Sequence, residues 1–566
     1  MLLLIIMLSP KTNAAPPPKW LEQKAAEENL SYVIWAQDPW DLVFTESKEQ
    51  ENVMLETQTK TCPFYTCYPE DPEQTSIQIK LTGCINQYIS GLFMISSLHD
   101  GYQKVRVESS NNIIDNKNKP VEDRLELRVA GAIRSRKYGL TVGPLFKAGD
   151  FLEENLVTHI SNYESIRDFP NIELAPFETI PFWFTIDAVD LEPGTYTSTI
   201  KVSDQHDTRI ISIEFEILPI ELAKESPLGV LYWASIPNNE LKDAYMEDLV
   251  SHGANMFFSN DFSIVETGSK YTIIGSTAFH SKAIGWLSGK AMENEFQKNR
   301  SYVERRIRRA VNYYVDLAQE AGLDYNQWAI EIYDEPTDAS CEVFAEIAKV
   351  IKKANPNVQI FTNPAAHWER ASITIDKMIK TLEPYIDYWF PYNNNLNRKD
   401  EDIVGYLKTL DKPIGYYETP GYSSKNENAA FGYYRKAAMI AYQYDLDAFG
   451  FWAYNTYYGS PWDDFDNSPG NDWPDAAVVY PGPKGPITTR NWEAVREGIQ
   501  DYKLVVVLEE LIEKAKVVNL SVTASEAAVT EIADQFFHGG DLAIINNARA
   551  RLFDEILKLQ SLLNTN

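Results

Sequence analysis

With 566 residues, 44% of them hydrophobic, the chain is long enough for two or three globular domains. Its 81 acidic against 52 basic residues give a net charge of −29, which excludes the broad basic surfaces that nucleic acid and anionic membranes require. An aromatic content of 12%, with 13 Trp and 32 Tyr, mostly builds core, but flat rings are also what a sugar cleft stacks against C–H faces.

The start, "MLLLIIMLSPKTNAA", is an apolar run followed by small residues before "PPPKW". It reads as a signal or leader segment over 1–18, so the protein is expected to be secreted or periplasmic. No other stretch approaches the ~18 apolar residues of a membrane span. Cys62, Cys67 and Cys84 lie close together and allow at most one disulfide in an oxidising compartment, whereas Cys341 reads as a small packing residue. Seven dispersed His without HExxH or CxxC predict no metal, and the lack of GxSxG, P-loop and GxGxxG motifs predicts no cofactor.

From 19 to 224 the pattern is short alternating runs separated by turn residues. Pro193-Gly194 makes a turn, and "TYTSTIKV" and "RIISIEFEIL" alternate with period two about a polar loop. This region is expected to be an N-terminal β-sandwich. "PIELAKESP", 219–227, reads as a linker.

Beyond Pro227 the texture changes to strands alternating with helices. Strands are expected at 228–235, 254–259, 328–333, 358–363, 386–393, 412–418 and 448–455, with an eighth inside the irregular 262–290 stretch. Helices are expected at 301–322, 341–354 and 429–444. Repeated β-α units with near-continuous apolar strands predict a (β/α)8 barrel over 227–490, with a doubly wound open sheet as the competing layout. A helical region, 491–566, is expected to pack on the barrel.

In such a barrel functional side chains gather where strands end, at the C-terminal face. The predicted ends offer Trp233, Asn260-Asp261, Asp334-Glu335, Asn363, Tyr392-Asn393, Tyr417-Glu418 and Trp452-Tyr454-Asn455. Acids, amides and aromatics without basic or metal-ligating clusters are the equipment for cleaving a glycosidic bond, which needs one acid at the leaving oxygen and a second group for the cationic sugar. The bland reading is that Asp-Glu-Pro is a turn feeding a helix N-terminus, where acids complement the dipole, and that the rings cap the core. Strict alternation would turn Asp334 and Glu335 to opposite faces. Where the strand curls outward against Pro336, both can reach one pocket.

"YDEP", with "KAAMIAYQYDLDAFGFWAYNTYYGSPW" and "VVYPGPKGPITTRNWEAVREGIQDYKL", resembles glycoside hydrolase family 123, the β-N-acetylgalactosaminidases and relatives sharing their C-terminal domain. The match spans roughly 227 to 510. The resemblance implies a retaining, exo-acting hydrolase of glycans or glycoconjugates with a terminal β-linked N-acetylhexosamine. In it Glu335 is the general acid/base, and Asp334 orients the substrate's 2-acetamido group, which attacks C1. Trp233, Asn363, Tyr392, Asn393, Tyr417, Trp452 and Asn455 are expected to bind the sugar. Two rivals stand beside this reading. One is a retaining β-glycosidase with Glu335 as acid/base and Glu418 as nucleophile; the other is a non-catalytic carbohydrate-binding protein.

Overall fold

The structure, a computed structural model, describes residues 17–40, 67–75, 77–135, 139–150, 160, 162–260, 262–285, 289–365, 373–419, 428–457, 459–462, 476–538 and 541–565. The leader up to residue 16, Cys62 and Asp261 lie outside these.

Two sheets make up the N-terminal part. One is antiparallel throughout, in the order Tyr32–Gln37, Tyr88–Ser97, Thr179–Asp187, Leu125–Ser135, Gly139–Phe146. The other runs Gln78–Ile85, Thr208–Glu221, Gly194–Ser203, Gln103–Ser109, Asn171–Leu174, and its first pair is parallel. Phe93 and Phe182 of the first sheet share one apolar core with Val107, Ile200 and Phe215 of the second. The period-two pattern read at 195–202 is the burial pattern of Gly194–Ser203, inward at every second residue. Two local expectations are corrected. Residues Lys19–Glu28, rich in Ala, Glu, Gln and Lys, form a helix rather than a strand. The presumed linker begins as strand, because Thr208–Glu221 carries on through Pro219 and pairs Glu221 with Ile85 across a bulge.

The following eight strands are parallel: β1 (Gly229–Tyr232), β2 (Met256–Ser259), β3 (Tyr271–Ile274), β4 (Trp328–Glu331), β5 (Gln359–Thr362), β6 (Tyr388–Trp389), β7 (Gly415–Glu418) and β8 (Ala448–Phe451). Each pairs with its neighbours in chain order, and β8 returns to β1. Between β6 and β7 the ladder thins to two isolated bridges, with Trp389 N–H donating to the Pro413 carbonyl and Tyr417 N–H to that of Pro391. The ring is thus a near-closed barrel, not an open sheet. The strand hidden in 262–290 is β3. Inward positions such as Leu231, Ile273, Ala329, Phe361 and Ala448 fill the interior, while Val230, Trp328, Ile330 and Ile360 face the surrounding helices.

The helices that matter below are α1 (Lys242–Ser251), α2 (Ser276–Ile284), α3 (Arg300–Glu320), α4 (Cys341–Ala354), α5 (Ala437–Gln443), α6 (Arg490–Val517), α7 (Thr523–His538) and α8 (Leu542–Thr565). The helix expected over 429–444 is broken: Asn428–Gly432 and α5 are separated by a tight turn at Tyr434–Lys436. That turn places Arg435, 2% exposed, against Asp501 of α6, with Nε donating to Oδ2 at 2.9 Å. Among the described residues no helix is long and apolar enough to cross a membrane.

Helix α6 ties the parts together. Thr489 caps it by accepting from Trp492 N–H. Trp492 stacks on His252 at 4.4 Å and donates Nε1–H to Asp248, both at the end of the barrel's first helix. Burial alone would raise the Glu493 carboxyl, but Arg496, the His252 ring 3.9 Å away, and Arg128 of the N-terminal sheet hold it well below the usual range. Glu497 and Asp501 meet Arg549 of α8. Gly498 leaves no room for a side chain, since a Cβ there would lie 2.0 Å from the Arg435 carbonyl oxygen. Both sides of that contact are backbone, so no rotamer change relieves it. Gly498→Ala is therefore expected to cost about 1–3 kcal/mol, read as a lower thermal midpoint; an unchanged midpoint would show that α6 can shift away.

Candidate active site

Along β4 the alternation is strict: Trp328, Ile330 and Ile332 face outward, Ala329 and Glu331 inward. It ends at the rim, where Glu335 adopts φ +51°, the left-handed region that non-glycine residues rarely enter. This reversal lets adjacent acids serve one site, and Asn363, one residue past β5, holds it. Glu335 N–H donates to Asn363 Oδ1 at 3.2 Å, and Asn363 Nδ2 donates to Asp334 Oδ1 at 2.8 Å. Asn363 is buried, so its amide is a fixed clamp with one end on each acid.

Across the barrel mouth Tyr417 donates its hydroxyl to Glu335 Oε1 at 2.6 Å. Burial, and then the Glu335 charge, push the Tyr417 phenol far above its ordinary range, so it remains a donor. Its ring packs against Trp233 at 5.5 Å and Tyr392 at 5.2 Å, and Trp233 meets Phe258 at 5.2 Å. These rings form an aromatic floor at the end of the barrel.

Beside the acids opens a cavity of about 700 Å³, walled by Trp233, Phe258, Asn260, Ser276, Glu331 and Asp334. This lies in the size range of small-molecule sites. Asp334 faces solvent at its edge. Glu418, half-buried at the end of β7, accepts from Asn393 Nδ2 at 2.7 Å. Its burial raises the carboxyl to about 7, although Tyr433 and Asn393 favour the charged form. The half-buried Trp452 donates its backbone N–H to the Glu418 carbonyl at 2.9 Å.

The predicted rim residues thus separate into groups. Trp233, Asn260 and Asp334 wall the cavity; Asn363 and Tyr417 bond to the acid pair of Asp334 and Glu335, with Tyr392 packed on Tyr417; Asn393 is bound to Glu418. Asn455 holds the Ser235 backbone through both ends of its amide, at 2.8 Å each. Tyr454 points away from the mouth, its hydroxyl on Asp248 at 2.6 Å, so for this ring the structure corrects the sequence reading. Sequence reasoning passed over Glu331. An acid inside an apolar strand, two residues from Ala329, was the available signal, since unpaired Glu is almost never buried.

Residues 298–508 match the family model for the catalytic domain of glycoside hydrolase 123. The chain carries a family 123 catalytic domain. The matched segment contains Asp334, Glu335, Asn363, Tyr417, Glu418 and Trp452 but not the cavity wall built by β1 to β3. It is the domain of a glycosidase, and the substrate class is carbohydrate. A family 123 glycoside hydrolase from Clostridium perfringens, solved in a study of glycolipid glycan hydrolysis, is similar at 12% identity and TM-score 0.56, covering 94% of this chain and 98% of that one. That likeness shows the fold. A family 39 glycoside hydrolase from Bacteroides cellulosilyticus WH2 aligns at 12% identity and TM-score 0.34, covering 76% of this chain and 82% of its own. A Bacteroides uniformis beta-glucuronidase aligns at 10% and 0.28, over 73% of this chain and 50% of its own. No curated protein matches the sequence.

Proposed function

We propose that the protein is a retaining, exo-acting glycoside hydrolase of β-N-acetylgalactosaminidase type that uses its substrate's 2-acetamido group as the nucleophile. The observation that carries this reading is the Asn363 clamp, whose amide holds the Asp334 carboxylate at one end and the Glu335 backbone at the other, at the edge of a cavity of sugar size. In the first step Glu335 gives a proton to the glycosidic oxygen as the C1–O bond breaks, while the acetamide oxygen bonds to C1. Asp334 accepts the acetamide N–H and stabilises the positive charge that grows there. Water then attacks C1 with Glu335 as base, and the ring opens with net retention. Fixed groups of this kind gain their effect from orientation already achieved in the folded protein. The apolar leader supports export, and the aromatic floor suits the C–H face of a pyranose.

The displacement route through Glu418 keeps one point in its favour, the ordered carboxyl at the end of β7. A carboxyl raised to about 7 is half-protonated at neutral pH and correspondingly poor as a nucleophile, which favours the acetamide route.

A panel of nitrophenyl β-glycosides tests the reading. N-acetyl sugars, with the galacto isomer fastest, are expected to be the substrates; turnover confined to sugars without the acetamide would refute it. Trp452→Ala and Tyr392→Ala are each expected to weaken kcat/KM by about tenfold, equivalent to ~1.4 kcal/mol of lost sugar contact. If Trp452→Ala left kcat and KM both unmoved, that ring would stand outside the sugar site.

A further inference from the structure

Among the described residues, Glu331 is the one acid of the cavity that this mechanism leaves idle. It faces inward from the last position of β4, three residues before Asp334, and is 4% exposed. Its Oε2 accepts the Ser276 backbone N–H at 2.8 Å, at the start of α2. Gly275, the N-cap of that helix, has no side chain to do so, and a Cβ there would sit 3.9 Å from Oε2. Glu331 Oε1 is buried with no hydrogen-bond partner. A carboxylate with a bare buried oxygen is costly, and a carboxylic acid is not, because the neutral form sheds most of the desolvation penalty.

We propose that Glu331 is a positioning residue for Asp334, a third carboxyl that must stay neutral so that Asp334 keeps its charge and its bond to Asn363. This rests on the acetamide mechanism above. The groups around it agree. Asp334 and Glu335 on its own segment both oppose a charge on it, while the amide and hydroxyl of Ser276 on α2 favour one but do not offset the burial. On α2 burial lowers His280 to about 4, leaving it uncharged at neutral pH. The one cation on the cavity wall among the described residues is Lys242, on α1. Burial, then Asp334, raise the Glu331 carboxyl to about 8, so it is neutral below that pH and ionised above it. Once ionised, it repels the Asp334 carboxylate across the cavity floor and pushes it from its place on Asn363.

The test is the pH dependence of kcat on a dinitrophenyl β-N-acetylglycoside, whose leaving group needs no proton from Glu335. Wild-type kcat is expected to fall roughly tenfold per unit above about pH 8. Glu331→Gln, neutral at every pH and still able to accept from Ser276, is expected to lower kcat severalfold at pH 6 but to abolish that alkaline fall. A residue that only caps α2 would leave the profile in place, so an identical alkaline fall in both proteins overturns the proposal. Carbon-13 NMR of glutamate carboxyls, with Glu331→Gln for assignment, reads the proton without turnover. A Glu331 signal titrating in the ordinary carboxylate range also overturns it. Failure of every β-glycoside as substrate would strike the functional reading instead, and the carboxyl titration would still decide whether Glu331 is the neutral member.

Discussion

Glu335→Gln is expected to lose about 10²–10⁴-fold in kcat on glycosides with poor leaving groups, the usual worth of a positioned general acid. The substitution is clean because the amide oxygen can still accept the Tyr417 hydroxyl that now reaches Oε1 at 2.6 Å. The backbone bond from Glu335 N–H to Asn363 is likewise kept. Only the transferable proton is removed. Aryl glycosides with strongly acidic leaving groups should therefore suffer much less in the first step, and the second step should become limiting with them. The comparison is made by plotting log kcat against leaving-group pKa, where the variant should show a steeper slope. An equal loss across the series would mean that Glu335 shapes the site and does not donate a proton.

How much of this could be read from the chain depended on whether the signal was local. Helix Cys341–Ala354 forms over the range expected because its apolar residues repeat at helical spacing and Lys352 and Lys353 favour its C-terminus. Strand β3 is four residues long and set between a tight turn at Ser263–Thr267 and the start of α2, so only the arithmetic of eight strands called for it. The break at Tyr434–Lys436 was invisible because its cause is distant: Arg435 is drawn to Asp501, and Gly498 admits its backbone. The same separation explains the site. Adjacency of Asp334 and Glu335 is plain in sequence, but their convergence depends on a positive φ that nothing local requires and on an asparagine 28 residues onward. Glu331 was legible from alternation alone, since Ala329 and Glu331 share a face. Strand ends alone do not point to it, because the cavity reaches one layer further in. The long motif around Trp492 and Glu493 carries the resemblance, yet its side chains join the sheets, barrel and tail rather than meet the cavity.

Asp334→Asn and Glu418→Gln separate the two hydrolytic routes. If the acetamide attacks C1, Asp334 must hold its N–H and balance the charge of the oxazolinium. A neutral amide stabilises that charge less, and kcat should drop by about 10²–10³-fold, the scale for removing one preorganised electrostatic group, while KM moves little. The Asn363 clamp should survive, because an amide oxygen can accept from Nδ2 as the carboxylate does. A thiazoline mimic of the intermediate should bind the wild type far more tightly than substrate, for the reason that catalysis occurs at all, and should lose that advantage in Asp334→Asn. Glu418→Gln should be mild on this route, since its acceptor oxygen for Asn393 is retained and a carboxyl raised to about 7 already spends part of its time neutral. Displacement by Glu418 demands the reverse. Glu418→Gln would then be nearly inactive, the thiazoline inert, and a 2-fluoro sugar would leave a covalent adduct on Glu418 that intact-protein mass spectrometry detects. The acetamide route does not survive that adduct, because a reaction whose nucleophile belongs to the substrate never bonds the sugar to the protein.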